Sequence, residues 1–337
     1  MKKTFWAGKS GPLLIAEIGG NHEGDFNYAK KLVKLAISSG VDVIKLQLYT
    51  GGQLVNRVES QDRFKHFKKF ELTRTQHIYL AKLCNSHGVK YLASVWDLQM
   101  LKWIDKYLPF YKIGSGDLTA FPIIKEFARR RKPIILSTGL SNLNEITQTI
   151  SFLQKENKIY KNKNKLALLQ CTSCYPTIDE EVNLKTMQTL KNKTNLTVGY
   201  SHHNSGSLAL LTAYTLGAEI LEFHFTDERK GKIFRDHKIS LNKSETISLI
   251  KDIKRIKNIL GSSEKKATKN EIKSKNIITF RRAIYPIKDL KKGYKIKESD
   301  LVCLRPNYGV DARDIKRLIG KKLKKNLKKF KKINFVK

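Results

Sequence analysis

The sequence predicts a (β/α)8 barrel followed by a small C-terminal domain. The first observation is an alternation: between residues 13 and 261, a short apolar run precedes a longer amphipathic stretch eight times, as in successive strand–helix units. Second, no Gly-x-Gly-x-x-Gly motif follows the first apolar run, which disfavours the alternative, a doubly wound sheet. Third, the composition changes after Gly261, where a charged segment leads into a region with short strand-like runs.

Each apolar run has the length of a buried strand, and the stretches between the runs have the apolar periodicity of helices. Two of these stretches, residues 25–40 and 241–261, end on Gly40 and Gly261, which we predict to be helix caps. The eight predicted strands are residues 13–19, 42–49, 90–96, 111–116, 133–139, 166–172, 197–203 and 220–226.

The same pattern divides the chain into three predicted segments. We expect a barrel domain over residues 1–261, a linker over 262–278 and a C-terminal domain over 279–337. The linker is charged and poor in apolar residues, so we expect it to be flexible. The C-terminal domain is too short to bury a large core alone, and we expect it to rely on another surface.

Composition limits the classes of protein to which the chain can belong. Its 337 residues are 40% hydrophobic, enough for a sizeable core, and its formal net charge of +36 favours anionic ligands. Because the lysines are spread along the whole chain, a solvated basic surface is favoured over a nucleic-acid site. No apolar run approaches the ~20 residues of a membrane span, and the N-terminus lacks a secretory signal. With four cysteines suited to a reducing compartment, these features predict a cytoplasmic protein.

Two histidines lie at the ends of the last two predicted strands. Period two places His203 on the same face as Ser201, whereas His202 points to the opposite face. In the next strand it places His224 on the same face as Glu222. Neutral imidazole is a common ligand of divalent transition metals, so His203 and His224 indicate an open metal site. The alternative is a pair of buried core histidines.

Polar side chains also collect at the ends of the other strands, where a (β/α)8 barrel carries its site. Lys45 and Gln47 share one face of the second strand, opposite apolar neighbours, and Lys112 lies in the fourth. A buried lysine is costly unless an anion meets it, so we predict a phosphate or carboxylate site at this mouth. The other polar residues at strand ends are Glu17, Ser115, Asp117, Ser137, Ser173 and Ser201.

Together these features resemble the sialic acid synthase family, the N-acetylneuraminate synthases and their legionaminic and pseudaminic acid synthase relatives. The resemblance implies a TIM barrel followed by an antifreeze-like (SAF) domain. It implies an enzyme that condenses phosphoenolpyruvate with an N-acylated amino sugar, N-acetylmannosamine or a relative, to give a nonulosonic acid and phosphate. The resemblance runs from about residue 12 to 330 and rests on the motifs AEIGGNHEGD, VIKLQ, YKIGSGD, PIILSTGL, QCTSCYP, VGYSHH, LEFHF, RDHKIS and LRPNYG.

The resemblance also implies roles for individual residues. His203 and His224 match ligands of Mn²⁺ or a similar cation such as Mg²⁺ or Co²⁺, and Glu17 and Asp117 are the expected proton-transfer residues. The positions that match phosphoenolpyruvate-binding residues are Lys45, Lys112, Ser115, Ser137, Ser173 and Ser201. The positions that match sugar-binding residues are Gln47, Asp117, Tyr175, Asp236 and Arg305.

Three positions depart from the family pattern. His202 stands where the family usually has aspartate, and Gln170 where it usually has histidine; we expect the core chemistry to tolerate both. Phe234-Arg235 replaces the usual Gly-Pro before the aspartate of the sugar loop. The third departure therefore bears on which sugar is bound.

The expected partners are the two small-molecule substrates and a second copy of the chain, with neither a membrane nor a nucleic acid. In the resembled family the C-terminal domain crosses a homodimer, so we expect Arg305 to reach the sugar in the other subunit. Two alternatives compete with this function: a metal-dependent aldolase that uses pyruvate, and a non-catalytic basic protein that binds a phosphorylated ligand or nucleic acid. Phosphate release from phosphoenolpyruvate would distinguish the synthase from both.

Overall fold

The computed structural model describes residues 5–334. The chain divides into two compact units, Met1–Leu260 and Gly261–Lys337. Each unit has its own apolar core. Within the described residues, no helix is long and apolar enough to cross a membrane.

Eight parallel strands form the wall of the first unit. They are β1 Gly11–Gly19, β2 Val43–Leu48, β3 Lys90–Val95, β4 Tyr111–Ile113, β5 Ile134–Ser137, β6 Leu166–Cys171, β7 Thr197–His202 and β8 Ile220–His224. Their order is β3-β2-β1-β8-β7-β6-β5-β4. Across the described residues this makes a nearly closed barrel that lacks only the ladder between β3 and β4. A short strand, Ala7–Gly8, pairs antiparallel with β1. The predicted (β/α)8 architecture is confirmed.

Helices alternate with these strands and cover the outside of the barrel. The first unit contains α1 Phe26–Ser39, α2 Gly51–Leu54, α3 Gln61–Phe70, α4 Arg74–Ser86, α5 Leu101–Ile104, α6 Phe121–Arg129, α7 Leu143–Glu156, α8 Thr186–Thr194, α9 Leu208–Thr215, α10 Asp236–Ile239 and α11 Lys243–Leu260. Short 3-10 turns lie at Leu98–Met100, Asp105–Tyr107, Ser115–Asp117, Lys158–Lys161 and Asp179–Glu181.

Capping residues explain where α1 begins and where α1 and α11 end. Asp25 caps α1 by accepting hydrogen bonds from the backbone of Asn27 and Tyr28, at 2.7 and 3.1 Å. Gly40 ends it with φ of 89°, and Gly261 follows α11 with φ of 53°. Glycine adopts this left-handed conformation without a Cβ penalty, and both predicted caps are confirmed.

The strand register decides which polar residues meet inside the barrel. Glu17 of β1 is the register partner of Lys45 on β2 and of His224 on β8, so these three residues lie at one level. Ser201 of β7 is the partner of Glu222 on β8. Residues at the alternating positions, among them Ala16, Ile44 and Phe223, are fully buried in the apolar core.

The C-terminal unit is a small, separate structure. Strands β9 Ala283–Pro286 and β10 Leu301–Leu304 pair antiparallel, and 3-10 turns lie at Glu298–Asp300 and Ala312–Arg317. Its largest buried cluster joins side chains that are distant in sequence: Ile284, Val310, Leu318 and Ile333.

The segment predicted as a flexible linker contains helical turns. α12 spans Lys269–Lys273, and α13 spans Asn276–Thr279. Thr268 and Glu271 form a capping box at the start of α12. The Thr-x-x-Glu spacing stabilises a helix start even where apolar residues are few. Composition alone therefore did not predict this helix.

Candidate active site

A cavity of about 510 Å³ lies at the carboxyl ends of the barrel strands, where barrels of this type carry their sites. It brings together every predicted site residue of the barrel. Those lining it are Glu17, Lys45, Gln47, Lys112, Ser115, Asp117, Ser137, Ser173, Tyr175, Ser201, His203, His224 and Asp236. Arg305 belongs to the C-terminal unit.

Four buried charges, which we call the floor, alternate in sign at the bottom of the cavity: Glu17, Lys45, Glu222 and Lys112. Lys45 Nζ lies 2.6 Å from Glu17 Oε2 and 4.0 Å from Glu222 Oε2. Lys112 Nζ lies 3.3 Å from Glu222 Oε1. None of the four is more than 5% exposed. The anions that meet the buried lysines are therefore protein carboxylates.

The carboxylates keep the floor charged where burial alone would favour neutral groups. Burial lowers the pKa of Lys45, but Glu17 and Glu222 more than offset it and raise that pKa. Burial raises the pKa of Glu222, but Lys112 and Lys45 bring it below its usual value. For Glu17, burial prevails over Lys45, and its pKa is raised. Glu17 is thus the carboxyl of the floor that holds a proton more readily.

Serine hydroxyls surround the floor. Lys112 Nζ donates to Ser137 Oγ at 2.7 Å, and Lys45 Nζ donates to Ser94 Oγ at 3.3 Å. Ser201 Oγ donates to Glu222 Oε1 at 3.1 Å. These hydrogen bonds pair three of the four charged groups with serine hydroxyls, which are small neutral groups that can exchange one hydrogen-bond partner for another.

Two further hydroxyls converge at Gly139, just after β5. Gly139 N donates to Ser115 Oγ at 3.0 Å. A Cβ at residue 139 would lie 2.8 Å from Ser115 Oγ and 2.5 Å from Ser173 Oγ. Only glycine lets both hydroxyls approach this backbone, and the result is a small polar cup that can hydrogen-bond an anion.

The two predicted metal ligands line the same cavity. The ring centroids of His203 and His224 are 5.4 Å apart, and the Tyr175 ring lies 4.2 Å from His203. His203 Nδ1 lies 2.7 Å from the Thr172 carbonyl, which can only accept, so Nδ1 carries a proton and Nε2 is free to bind a cation. Burial lowers the pKa of His203, but its contacts with Cys171 and Thr172 outweigh that effect and raise it.

His224 has the features of a buried ligand. Burial, reinforced by His203 and Lys45, lowers its pKa well below the usual value, so the ring is neutral. Its Nδ1 is buried without a hydrogen-bond partner, 3.6 Å from Asp236 Oδ2. An unpartnered imidazole nitrogen beside a second imidazole fits a divalent cation. Across residues 5–334, no group of three His, Cys, Asp or Glu side chains that could hold a metal ion is found.

His202 lies apart from the pair, as the strand alternation predicts. It is fully buried and does not line the cavity. Its Nδ1 lies 3.4 Å from the Tyr200 hydroxyl. The adjacent histidines 202 and 203 therefore face different environments.

Other polar residues adjoin the floor at its edges. Gln47 Nε2 donates to Glu17 Oε1 at 3.4 Å. Burial raises the pKa of Asp117, with Lys112 and a hydrogen bond from Trp96 acting in the opposite direction. Glu17 and Asp117 are thus two cavity carboxyls whose pKa values are shifted toward neutrality, as proton-transfer groups require.

An aromatic rim, consisting of His66, Phe70 and Phe234, lines the outer part of the cavity. His66 and Phe70 are on α3, and Phe234 is on the segment after β8. The ring centroids are 4.5 Å apart for His66 and Phe70, 5.0 Å for Phe70 and Phe234, and 5.8 Å for His66 and Phe234. A Cβ at Gly20 would lie 2.8 Å from the Phe234 ring, so the first loop of the barrel packs closely against it.

Arg235 follows Phe234 and connects the rim to the imidazoles. Its guanidinium carbon lies 4.6 Å from the centre of the Tyr175 ring. Its Nε lies 3.3 Å from Asp236 Oδ1, although 67% of its side chain is exposed. The positive charge of Arg235 is therefore already engaged by a carboxylate and an aromatic face.

Three parts of this site were not predicted from the sequence: Glu222, the aromatic rim and Ser94. Period two places Glu222 on the face of His224, and a glutamate within an apolar strand was a usable signal for a role in the site. The aromatic rim was not predictable, because no periodic pattern connects residues 66 and 70 with residue 234. Ser94, the hydroxyl partner of Lys45, is likewise a polar residue within an apolar strand for which no role was predicted.

Fold and cavity together define a (β/α)8 enzyme whose cavity holds a charged floor and a pair of imidazoles. The NeuB family model matches residues 32–265, and the SAF domain model matches residues 281–329. The chain belongs to the NeuB family, and the prediction of an enzyme of the nonulosonic acid synthase class is confirmed.

Relatives with named activities are similar over nearly the whole chain. The N,N'-diacetyllegionaminic acid synthase of Campylobacter jejuni is 37% identical, over 97% of this chain and 98% of its own length. The enzyme of the same name from Legionella pneumophila is 36% identical, over 93% and 91%. A pseudaminic acid synthase of C. jejuni is 30% identical, over 94% and 93%.

Solved structures show the same fold. The N-acetylneuraminic acid synthetase of Leptospira borgpetersenii, in complex with citrate, has a TM-score of 0.71 and 28% identity, covering 79% of this chain and 90% of that one. A putative spore coat polysaccharide biosynthesis protein E of Chromobacterium violaceum has a TM-score of 0.76 and 21% identity, covering 96% and 98%.

Proposed function

We propose that this protein condenses phosphoenolpyruvate with an open-chain N-acylated amino sugar to give a nonulosonic acid and phosphate. One observation carries the proposal: two buried, charged lysines and a cup of serine hydroxyls adjoin a pair of imidazoles in one cavity. Membership of the NeuB family supports it, because relatives are named as synthases of diacetyllegionaminic and pseudaminic acids.

Phosphoenolpyruvate would bind across the floor. Lys45 and Lys112 supply charge-assisted hydrogen bonds to its carboxylate and phosphate, and Ser115, Ser137 and Ser173 supply neutral ones. With both of its carboxyls ionised, the floor has two positive and two negative charges, and its net charge is zero. A bound cation beside it would therefore favour an anionic substrate further.

His203 and His224 are the residues that would hold this cation, for which Mn²⁺ is our first expectation. When bound, it supplies a Lewis acid that polarises the sugar aldehyde. Gln47, Tyr175 and Asp236 line the same part of the cavity and would orient the sugar. Because the imidazole rings are fixed by Thr172 and by burial, little reorganisation is needed on binding.

In the proposed reaction, one carbon–carbon bond forms and one carbon–oxygen bond breaks. The methylene carbon of phosphoenolpyruvate forms a carbon–carbon bond to the aldehyde carbon, whose oxygen takes up a proton. Water adds to the neighbouring enol carbon, and the bond from that carbon to the bridging oxygen breaks, releasing phosphate. Glu17 or Asp117 would donate and accept the protons, since burial keeps the pKa of each raised.

A phosphate-release assay tests the proposal. Purified protein with Mn²⁺, phosphoenolpyruvate and a panel of N-acylated hexosamines is expected to release phosphate only when both substrates are present, with product mass equal to sugar plus pyruvate. Turnover with pyruvate in place of phosphoenolpyruvate would favour the aldolase alternative. No turnover, together with salt-sensitive DNA binding, would favour the non-catalytic alternative.

A further inference from the structure

The motifs AEIGGNHEGD and RDHKIS meet beside the cavity, in contacts that the proposed reaction does not use. Glu23 belongs to the first motif, in the loop after β1, and His237 belongs to the second, in α10. His237 Nε2 lies 3.2 Å from Glu23 Oε1, although the two residues are 214 positions apart in sequence. Neither residue lines the cavity, whereas Asp236, which immediately precedes His237, does line it.

His237 is engaged at both of its ring nitrogens. Its Nδ1 lies 2.7 Å from the Thr226 hydroxyl, just after the end of β8. A carboxylate can only accept, so Nε2 carries the proton toward Glu23 and Nδ1 accepts from Thr226. Burial lowers the pKa of His237 more than Glu23 raises it, so the ring is neutral. The ring therefore joins the loop after β1 to the end of β8 in one orientation.

A second pair of contacts fixes the backbone of Asp236. Ser240 Oγ donates to the Asp236 carbonyl at 2.6 Å, and Asn21 Nδ2 donates to Ser240 Oγ at 2.9 Å. The clasp, as we call this set, consists of Asn21, Glu23, His237 and Ser240. It ties the loop after β1 to the residue that follows Asp236 and to the carbonyl of Asp236 itself.

The backbone of the loop after β1 is shaped for this contact. Glu23 has φ of 51°, a left-handed conformation that residues other than glycine rarely adopt. Gly24 follows with φ of 86°, and a Cβ there would lie 2.2 Å from the Lys69 carbonyl oxygen near the end of α3. A strained residue persists only where its surroundings hold it. The approach to α3 and the hydrogen bond to His237 both hold Glu23 in place.

Asp236 depends on such contacts from outside its own helix. α10, which carries it, has only four residues, and a helix this short is not stable alone. Asp236 Oδ2 lies 3.6 Å from His224 Nδ1, and its Oδ1 lies 3.3 Å from Arg235 Nε. A misplacement of about 1 Å can cost a large factor in rate, so the position of this carboxylate matters for the cavity.

We propose that Glu23 and His237 are positioning residues that hold Asp236 beside His224 without themselves contacting a substrate. The kinetic consequence rests on the proposed function, in which Asp236 orients the sugar. Loss of the clasp then weakens use of the sugar, whereas phosphoenolpyruvate, bound on the floor, is affected little.

Hydrogen exchange tests the clasp independently of the reaction. Glu23→Ala removes the acceptor of His237, whereas Glu23→Gln keeps an oxygen that can accept from the neutral ring. Because 36% of the Glu23 side chain is exposed, both variants are expected to fold. Backbone amides of residues 233–240 should exchange roughly threefold or more faster in Glu23→Ala and at the wild-type rate in Glu23→Gln, with those of α11 unchanged in both.

The matched control is Glu228→Ala, because Glu228 is an exposed carboxylate in the segment after β8 and does not line the cavity. It should leave exchange unchanged. Ser240→Ala, which removes the contact with the Asp236 carbonyl, is the second variant and should act in the same direction as Glu23→Ala. Unchanged exchange of residues 233–240 in both Glu23→Ala and Ser240→Ala overturns the clasp.

Phosphate-release kinetics then test whether the clasp acts through Asp236. Glu23→Ala is expected to lower kcat/KM for an accepted N-acylated sugar roughly three- to tenfold, as for loss of one hydrogen bond. The KM for phosphoenolpyruvate should change by less than about twofold. In an Asp236→Ala background, Glu23→Ala should add less than about a twofold loss, because nothing remains for it to position.

The outcomes separate the two proposals. Faster exchange with unchanged kinetics, or an equal loss in both backgrounds, overturns the positioning role and leaves the synthase function intact. No phosphate release by the wild type with any sugar overturns the proposed function and the kinetic role together, whereas hydrogen exchange still decides whether the clasp holds the segment.

Discussion

The floor and the aromatic rim of one cavity are built in opposite ways. The floor consists of buried charges within strands, where backbone ladders fix the position of each residue. The rim consists of rings on α3 and on the segment after β8, outside the ladders. The comparison teaches that strand ladders position the charged groups, whereas a helix and an irregular segment position the aromatic ones. Under the proposed function, changes in the floor should therefore affect phosphoenolpyruvate binding and turnover more than changes in the rim.

The largest effect is expected at the imidazoles. Chelation of the cation should abolish turnover and Mn²⁺ should restore it, since the two rings provide the only proposed protein ligands. His203→Ala should abolish turnover even with added Mn²⁺, whereas His202→Ala should retain much of the activity per folded molecule, because His202 does not line the cavity. Phosphate release measures the turnover of each variant, and circular dichroism measures its folding. Equal losses of turnover in the two variants would contradict the conclusion that the two histidines lie on opposite faces of the strand.

The next prediction asks whether the cavity is completed by a second subunit. Arg305→Ala and His203→Ala are each expected to be nearly inactive alone. Allowed to exchange subunits in equal amounts, they should recover toward about a quarter of wild-type activity, because in a crossed-over dimer each heterodimer has one intact site. Fluorescence-labelled subunits control for exchange. Complete exchange without recovered phosphate release would rule out the crossover.

Within the floor, Glu222→Gln should destabilise the fold. It removes a buried carboxylate from Lys112 and Lys45, and breaking a buried pair costs about 3–5 kcal/mol. The matched control is Glu219→Gln, which breaks a surface pair with Lys191 and should cost under about 1 kcal/mol. Urea denaturation gives both free energies of unfolding. Similar values for the two variants would show that the floor does not depend on Glu222.

A smaller, more specific effect is expected for Lys112→Met. A charge-assisted hydrogen bond contributes ~1.5–3 kcal/mol, which corresponds to roughly a tenfold or greater rise in the KM for phosphoenolpyruvate. The KM for the sugar should change little, because Lys112 contacts Ser137 and Glu222 rather than the rim. Steady-state kinetics with each substrate varied in turn measure both KM values. A change confined to the KM for the sugar would refute the assignment of Lys112 to phosphoenolpyruvate binding.

The site residues that strand alternation predicts lie in or next to strands, whereas those of the rim lie on a helix and an irregular segment. Lys45, Lys112, His203 and His224 were predictable, because alternation along a strand fixes the side on which each lies. Glu222 was within reach of the same argument, since it shares a face with His224. The rim was not predictable from the sequence pattern, because Phe234 meets α3 only through the conformation of irregular segments. Nor did composition reveal α12, whose start depends on one capping box.

The most direct test of the central claim uses phosphoenolpyruvate labelled with ¹⁸O in its bridging oxygen. The protein, Mn²⁺ and an accepted N-acylated sugar are incubated, and the released phosphate is analysed by mass spectrometry. We predict that the phosphate carries the label and that its release requires the sugar, because the carbon–oxygen bond breaks after water adds to the enol carbon. Unlabelled phosphate, or release that is independent of the sugar, would contradict the proposed condensation.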